Sequence, residues 1–297
     1  MKSAEEASLT RRDFLRGTAT AALAAAFGLP GTAGAARPGG KRAKVVLVRH
    51  EQAVNADGGV NERVIQGMLD QAVAALSGTN NAADAWRRLV KPTDLVGIKT
   101  NVWARLPTPP EVIEALRRRI VQAGVPEAAI RIDDRGARRT LADCAALVNA
   151  RPVRTHDWAG IGGCMKNYMP FVEEPWTYHP DTCADLAAIW SLPIVKGKTR
   201  LNVLVALTPL FWGRGPHHFD PRYVWPYKGI FVSFDPVAID AVGAHLLRTK
   251  RLQHFGEDKP IKPTTHIALA ETRHGLGVAD LRRIDLVKQG WMEDALI

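Results

Sequence analysis

Charged and nucleophilic side chains recur at one kind of place in this chain: the ends of short apolar runs. Lys99 closes DLVGIK, with Asn101 two residues on. Asp133 and Asp134 end AIRID, His156 and Asp157 follow PVRT, and Asp235 follows GIFVSF. Arg214, His217 and His218 stand in the loop after LNVLVAL. Cations bind anions and stabilise negative charge that develops in a reaction. Imidazole and carboxylate groups move protons. The expected catalytic groups are therefore Lys99, Asp134, His156 and Lys166, and the expected substrate binders Asn101, Asn167, Arg214 and Asp235. Structural roles compete with several of these. Lys99 could be a solvated lysine at a strand exit, Asp133 and Asp134 could cap a turn before Gly136, and Asp235 precedes Pro236 as a helix N-cap would. Asp240 lies on a mostly apolar helix and reads as a buried structural acid.

The stretch His156-Asp157-Trp158-Ala159-Gly160-Ile161-Gly162-Gly163-Cys164-Met165-Lys166-Asn167-Tyr168 is the most unusual part. Its glycines let backbone amides approach a ligand. Lys166 adds a cation, and Asn167 can donate and accept. Together they suit a carboxylate or phosphate. Further along, His179 and Cys183 share a face if that segment is helical, and such a pair can ligate a soft metal. His217 with Asp220 is the second candidate metal pair.

These groups need elements to hold them. Apolar runs at Lys44–Arg49, Asp94–Lys99, Ala129–Asp133, Leu201–Leu207 and Gly229–Phe234 predict buried strands. Pro152–Thr155 and Arg283–Lys288 predict shorter ones. Helical spacing predicts helices over Asn61–Leu76, Pro110–Ala123, Leu141–Leu147, Thr182–Trp190, Asp235 to about Arg248, and His266–His274. Strands alternating with helices predict an α/β layered fold, with a largely parallel or mixed central sheet flanked by helices. In such sheets ligands sit outside the carboxyl ends of the strands, so the strand-end residues would converge if the strands run parallel.

The N-terminus reads as an address. Arg11-Arg12-Asp13-Phe14-Leu15 precedes an Ala-rich run from Ala19 to Leu29, then Pro30 and a small-residue cleavage site at Ala33-Gly34-Ala35. This is the order of a twin-arginine signal peptide over residues 1–35. It predicts the twin-arginine translocase as a partner during export and a periplasmic or extracellular location. Residues 36–43 read as a linker and 44–297 as one α/β domain. The formal charge of +10 lies almost wholly beyond residue 35. It favours a small anionic ligand or surface, and no nucleic-acid-binding module is recognisable. No second apolar run is long enough for a transmembrane segment in the mature chain. The cysteines, Cys144, Cys164 and Cys183, form no C-x-x-C, so the chain has no iron–sulfur cluster motif of its own. Their odd number leaves at least one thiol unpaired, and a Cys164–Cys183 disulfide stays open. No G-x-G-x-x-G follows the first strand. These residues leave the identity of any cofactor open, a metal ion being one candidate.

Several motifs, taken in order, resemble the DUF362 family, a group named for its unknown function. They are GIKTN at 97–101, PPEVIEAL at 109–116, IRIDDRG at 130–136 and HDWAGIGGCMKNYM at 156–169. GRGP at 213–216, FVSFDPVAIDAVGAHLL at 231–247 and HGLGVAD at 274–280 complete the series. Many members carry an appended ferredoxin module, which is missing here. Members often have an acid in the strand before the glycine-proline loop, where this chain has LNVLVAL. The resemblance implies an α/β domain with a redox- or metal-linked role. The resulting expectation is an enzyme acting on a small anionic substrate. The alternative is a non-catalytic periplasmic protein that binds a metal, a cofactor or a partner.

Overall fold

A computed structural model describes residues 40–213 and 219–297. The signal segment 1–35, Arg214 and His217 therefore lie outside the described residues. Eight strands form one mixed sheet: β1 (Ala43–Arg49), β2 (Val96–Lys99), β3 (Ile130–Asp133), β4 (Ala146–His156), β5 (Gly160–Gly162), β6 (Thr199–Leu210), β7 (Gly229–Ser233) and β8 (Ile284–Gly290). Their order is β3-β2-β4-β6-β7-β1-β8, with β5 paired to β4. The pairs β2–β3, β2–β4, β4–β6 and β1–β8 are parallel. β7 runs antiparallel to both of its neighbours, β6 and β1.

Period-two alternation divides the core. In β1, Val45 and Leu47 enter one cluster, while Val46 and Val48 enter the other. The second cluster is covered by α1 (Glu62–Ser77), α2 (Ala82–Leu89) and α3 (Pro110–Gln122). α1 presents Ile65, Met68, Leu69, Ala72, Val73 and Leu76, one stripe at helical spacing, to the sheet. The first cluster is covered by α4 (Pro236–Phe255), α5 (Thr265–Thr272) and the irregular stretch between β5 and β6. Helices on both faces make this a layered α/β fold. No helix among the described residues is long and apolar enough to cross a membrane.

Local signals mark the helix starts. Asn61 Oδ1 accepts from Val64 N, and Asp235 Oδ1 accepts from Val237 N and Ala238 N with Pro236 in the first turn. Two expected helices fail. Leu141–Leu147 is not helical: a single turn at Ala137–Thr140 ends there, and β4 begins at Ala146. β4 absorbs the short strand expected at Pro152–Thr155, and all of its residues are buried. Thr182–Trp190 is not one helix either. Asp181, Thr182 and Cys183 have φ of 51°, 60° and 65°, a left-handed run that breaks any right-handed turn. A 3₁₀ stretch, Leu186–Ser191, follows. α2 was not expected from the sequence; Asn81 caps it.

Candidate functional site

The carboxyl ends of β2, β3 and β4 lie on one edge of the sheet because these strands are parallel. Beside them is a cavity of about 240 Å³ lined by Asn101, Asp134, Arg151, His156, Lys166 and His179, among others. That volume lies below the ~300–1,000 Å³ of drug-sized pockets, so it suits a ligand of a few heavy atoms.

Lys99, fully buried, reaches from the end of β2 to Asp134. Its Nζ lies 2.5 Å from Asp134 Oδ1 and donates to Thr100 O at 2.8 Å. Asp134 Oδ2 accepts from Val102 N at 2.8 Å. Burial lowers the Lys99 pKa to about 8, against the opposing pull of Asp134. Asn101 Oδ1 takes a hydrogen bond from Arg154 at 3.0 Å, and the Arg154 guanidinium lies 4.4 Å from the Trp103 ring centroid. Arg151 donates to Asn167 Oδ1 at 3.1 Å.

Asn167 belongs to a chain of buried amides. Its Nδ2 donates to Asn149 Oδ1 at 2.8 Å and to Lys99 O at 3.2 Å. Asn149 Nδ2 donates to Asn202 Oδ1 and to Cys164 O, both at 3.0 Å. The network ties the glycine-rich segment to β2, β4 and β6. A buried network of this kind fixes geometry when its members are satisfied. Asp240, from α4, completes the cradle: its carboxylate accepts from Cys164 N at 2.6 Å and Met165 N at 2.9 Å. Burial pushes the Asp240 carboxyl up to about 7, against those two hydrogen bonds. Gly163 is glycine for a steric reason, since a Cβ there would lie 2.3 Å from Asp240 Oδ1.

The next residue outward, Lys166, has burial without an oxygen partner. Its Nζ lies 2.8 Å from Met169 Sδ and 3.7 Å from Cys183 Sγ. Burial lowers its pKa to about 8. His156 stands at the end of β4 with Nδ1 3.0 Å from Asp157 Oδ1 and 3.2 Å from Trp158 N. Those two contacts require opposite tautomers. Only the backbone contact has hydrogen-bond geometry, so Nδ1 accepts from Trp158 N and the ring proton sits on Nε2. Burial lowers the His156 pKa to about 3, so the ring is neutral near pH 7.

The resulting electrostatics are one-sided. Lys99, Arg151, Arg154 and Lys166 are all buried, and Asp134 is paired with Lys99. Among the described residues no carboxylate lies within ion-pair distance of Arg151, Arg154 or Lys166. Arg151 Nε and Arg154 Nε are buried without a hydrogen-bond partner. Buried cations are costly unless something anionic meets them.

Of the residues expected from sequence, Lys99, Asn101, Asp134, His156, Lys166 and Asn167 meet here. Asp235 does not. Because β7 is antiparallel, its end lies at the opposite edge, where Asp235 caps α4 and lines another cavity with Lys44 and His274. His179 lies in the cationic cavity with its ring 3.8 Å from that of Trp158. Burial lowers its pKa to about 4. The left-handed run at 181–183 means that His179 and Cys183 share no helix face. Asp220 caps a short 3₁₀ turn and pairs with Arg222 in a separate hollow. Among the described residues no three His, Cys, Asp or Glu side chains come together as a metal site. All three cysteines are buried and free. The sequence reading overlooked Arg151 and Arg154. Their signal was two arginines three apart in ALVNARPVRTH, which is otherwise mostly apolar.

No curated protein and no solved structure matches the chain. The profile of a family described as Domain of unknown function (DUF362) matches residues 124–245. That span contains Asp134, Arg151, His156, Lys166 and Asp240, while GIKTN at 97–101 and HGLGVAD at 274–280 fall outside it. Residues 124–245, which carry most of the cationic cavity, are thus the part of the chain that is similar to the DUF362 family.

Proposed function

We propose that this protein is an enzyme acting on a small anion, a carboxylate or phosphate bound in the cavity beside the ends of β2, β3 and β4. One observation carries the reading: buried Arg151, Arg154 and Lys166 have no carboxylate partner among the described residues. An anion would supply the missing charge and the acceptors that Arg151 Nε and Arg154 Nε lack. Arg151 and Lys166 would hold it, Asn101 and Asn167 would orient the cations, and the Lys99–Asp134 pair would fix the cavity wall. His156, neutral and part of the cavity lining, is the candidate proton carrier.

Titration calorimetry with inorganic phosphate and with acetate tests the reading. Each should bind, and Lys166→Met should weaken binding ~10–100-fold, the loss of one charge-assisted hydrogen bond of about 1.5–3 kcal/mol. Affinity should hold up to pH about 8 and fall above it, because Lys166 binds the anion as an ammonium group and loses its proton there. Unchanged binding in Lys166→Met removes the anion site. Binding without turnover of any substrate favours the non-catalytic alternative.

Export by the twin-arginine route belongs to the same proposal and rests on residues 8–35. Replacing Arg11 and Arg12 together by lysine should leave the unprocessed chain in the cytoplasmic fraction. Export of the double variant at the normal level would refute this.

A further inference from the structure

Two buried lysines belong to this site in different surroundings, and only Lys166 lines the cavity. Lys99 is held as an ammonium by Asp134 Oδ1 at 2.5 Å and Thr100 O at 2.8 Å. Lys166 lines the cavity, is 5% exposed, and among the described residues has only the sulfur atoms of Met169 and Cys183 within hydrogen-bond reach. Sulfur is a weak acceptor, so among the described residues no oxygen acceptor holds Nζ as an ammonium, and the Trp158 ring 5.9 Å away is a weaker cation contact.

We propose that Lys166 is a nucleophilic amine that forms an imine with a small oxo acid, a ligand carrying a carboxylate next to a ketone or aldehyde. This rests on the anion-site reading and deepens it. Arg151, in the same wall, would take the carboxylate. The carbonyl carbon of such a ligand is one bond from the carboxylate, so both fit a cavity of about 240 Å³. The Nζ lone pair forms the C–N bond, and the carbonyl π pair moves to oxygen. Two protons pass from nitrogen to that oxygen, which leaves as water. No oxidant or reductant is consumed. His156, which lines the same cavity, would carry a proton between the two atoms. Lys166 is only 5% exposed, and this restricted access of water favours the imine over its hydrolysis. Burial keeps a usable share of the amine unprotonated near neutral pH, with the pKa at about 8.

The experiment is borohydride trapping on the full chain with pyruvate, using lactate as the ligand that has no carbonyl. Calorimetry with both is run on the same preparation, and peptide mass mapping locates the reduced adduct. Pyruvate with borohydride should modify Lys166 and leave exposed lysines such as Lys91, Lys196 and Lys259 unmodified. Lactate should bind without an adduct, and Lys166→Arg should lose the adduct entirely while near-ultraviolet circular dichroism shows it folded. The trapping rate should rise with pH to about 8 and level off above. If both ligands bind but Lys166 is unmodified, or if adducts spread over surface lysines, the imine is overturned and the anion site stands. If neither ligand binds, both readings fall.

Discussion

Replacing Asp134 by alanine is expected to destabilise the fold by about 3–5 kcal/mol, the usual cost of stranding one member of a buried ion pair. Lys99 is fully buried, and Asp134 is its one carboxylate partner among the described residues. The same change strips Val102 N of its acceptor. Stability of about 5–15 kcal/mol is typical of a folded domain, so the loss should be plain in a urea or thermal melt. It should shrink at alkaline pH. The folded-state pKa of Lys99 already lies below its unfolded value, at about 8, and losing the carboxylate lowers it further. The unfolded chain therefore binds more protons than the native chain up to the ordinary lysine pKa, and stability rises with pH through that window. Lys99→Met combined with Asp134→Ala should recover much of the loss, because a buried pair replaced by apolar side chains is often neutral. A single-variant cost below about 1 kcal/mol, in the range of exposed ion pairs, would show that the pair is solvated.

Asp240→Ala is the second large effect. Its carboxylate is the acceptor for Cys164 N and Met165 N, and the site is completely buried. Two stranded amides at about 1–3 kcal/mol each give an expected loss of about 2–6 kcal/mol. Those amides lie at the root of Lys166, so the variant should also lose phosphate binding at temperatures where it remains folded. Gly163→Ala is a second way to disturb the same contact, since its Cβ would lie within 2.3–2.5 Å of the Asp240 carboxyl atoms. It should destabilise in the same direction without removing the acid. Wild-type melting in both variants would show that the 163–166 segment is held by something other than Asp240.

Much of the fold was legible in the sequence. The strands at 44–49, 201–207 and 229–234 are continuous apolar runs, as strands buried on both faces must be. Asn61 and Asp235-Pro236 marked helix starts through local chemistry that needs no tertiary contact. β4 was harder. Its asparagine, arginines and proline break the apolar pattern, and such residues look like loop until a buried network satisfies them. The stretch 141–147 carried helix-like spacing, but β2 and β6 claim its last two residues as the start of a strand. Tertiary pairing overrode a weak local signal there.

The candidate site divides along the same line. By itself the sequence determined which chemical groups stand at strand ends: Lys99, Asp134, His156 and the glycine-rich segment leading to Lys166 and Asn167. These are covalent facts, and the strand-end rule needs only the pattern of apolar runs. Strand direction was not written there, because period-two alternation is the same read either way. The antiparallel course of β7 alone removed Asp235 from the site. Only the tertiary structure distinguished the two lysines. Which buried atoms a side chain meets depends on segments far apart in sequence, and that decides whether an amine is held charged beside a carboxylate or left bare beside sulfur.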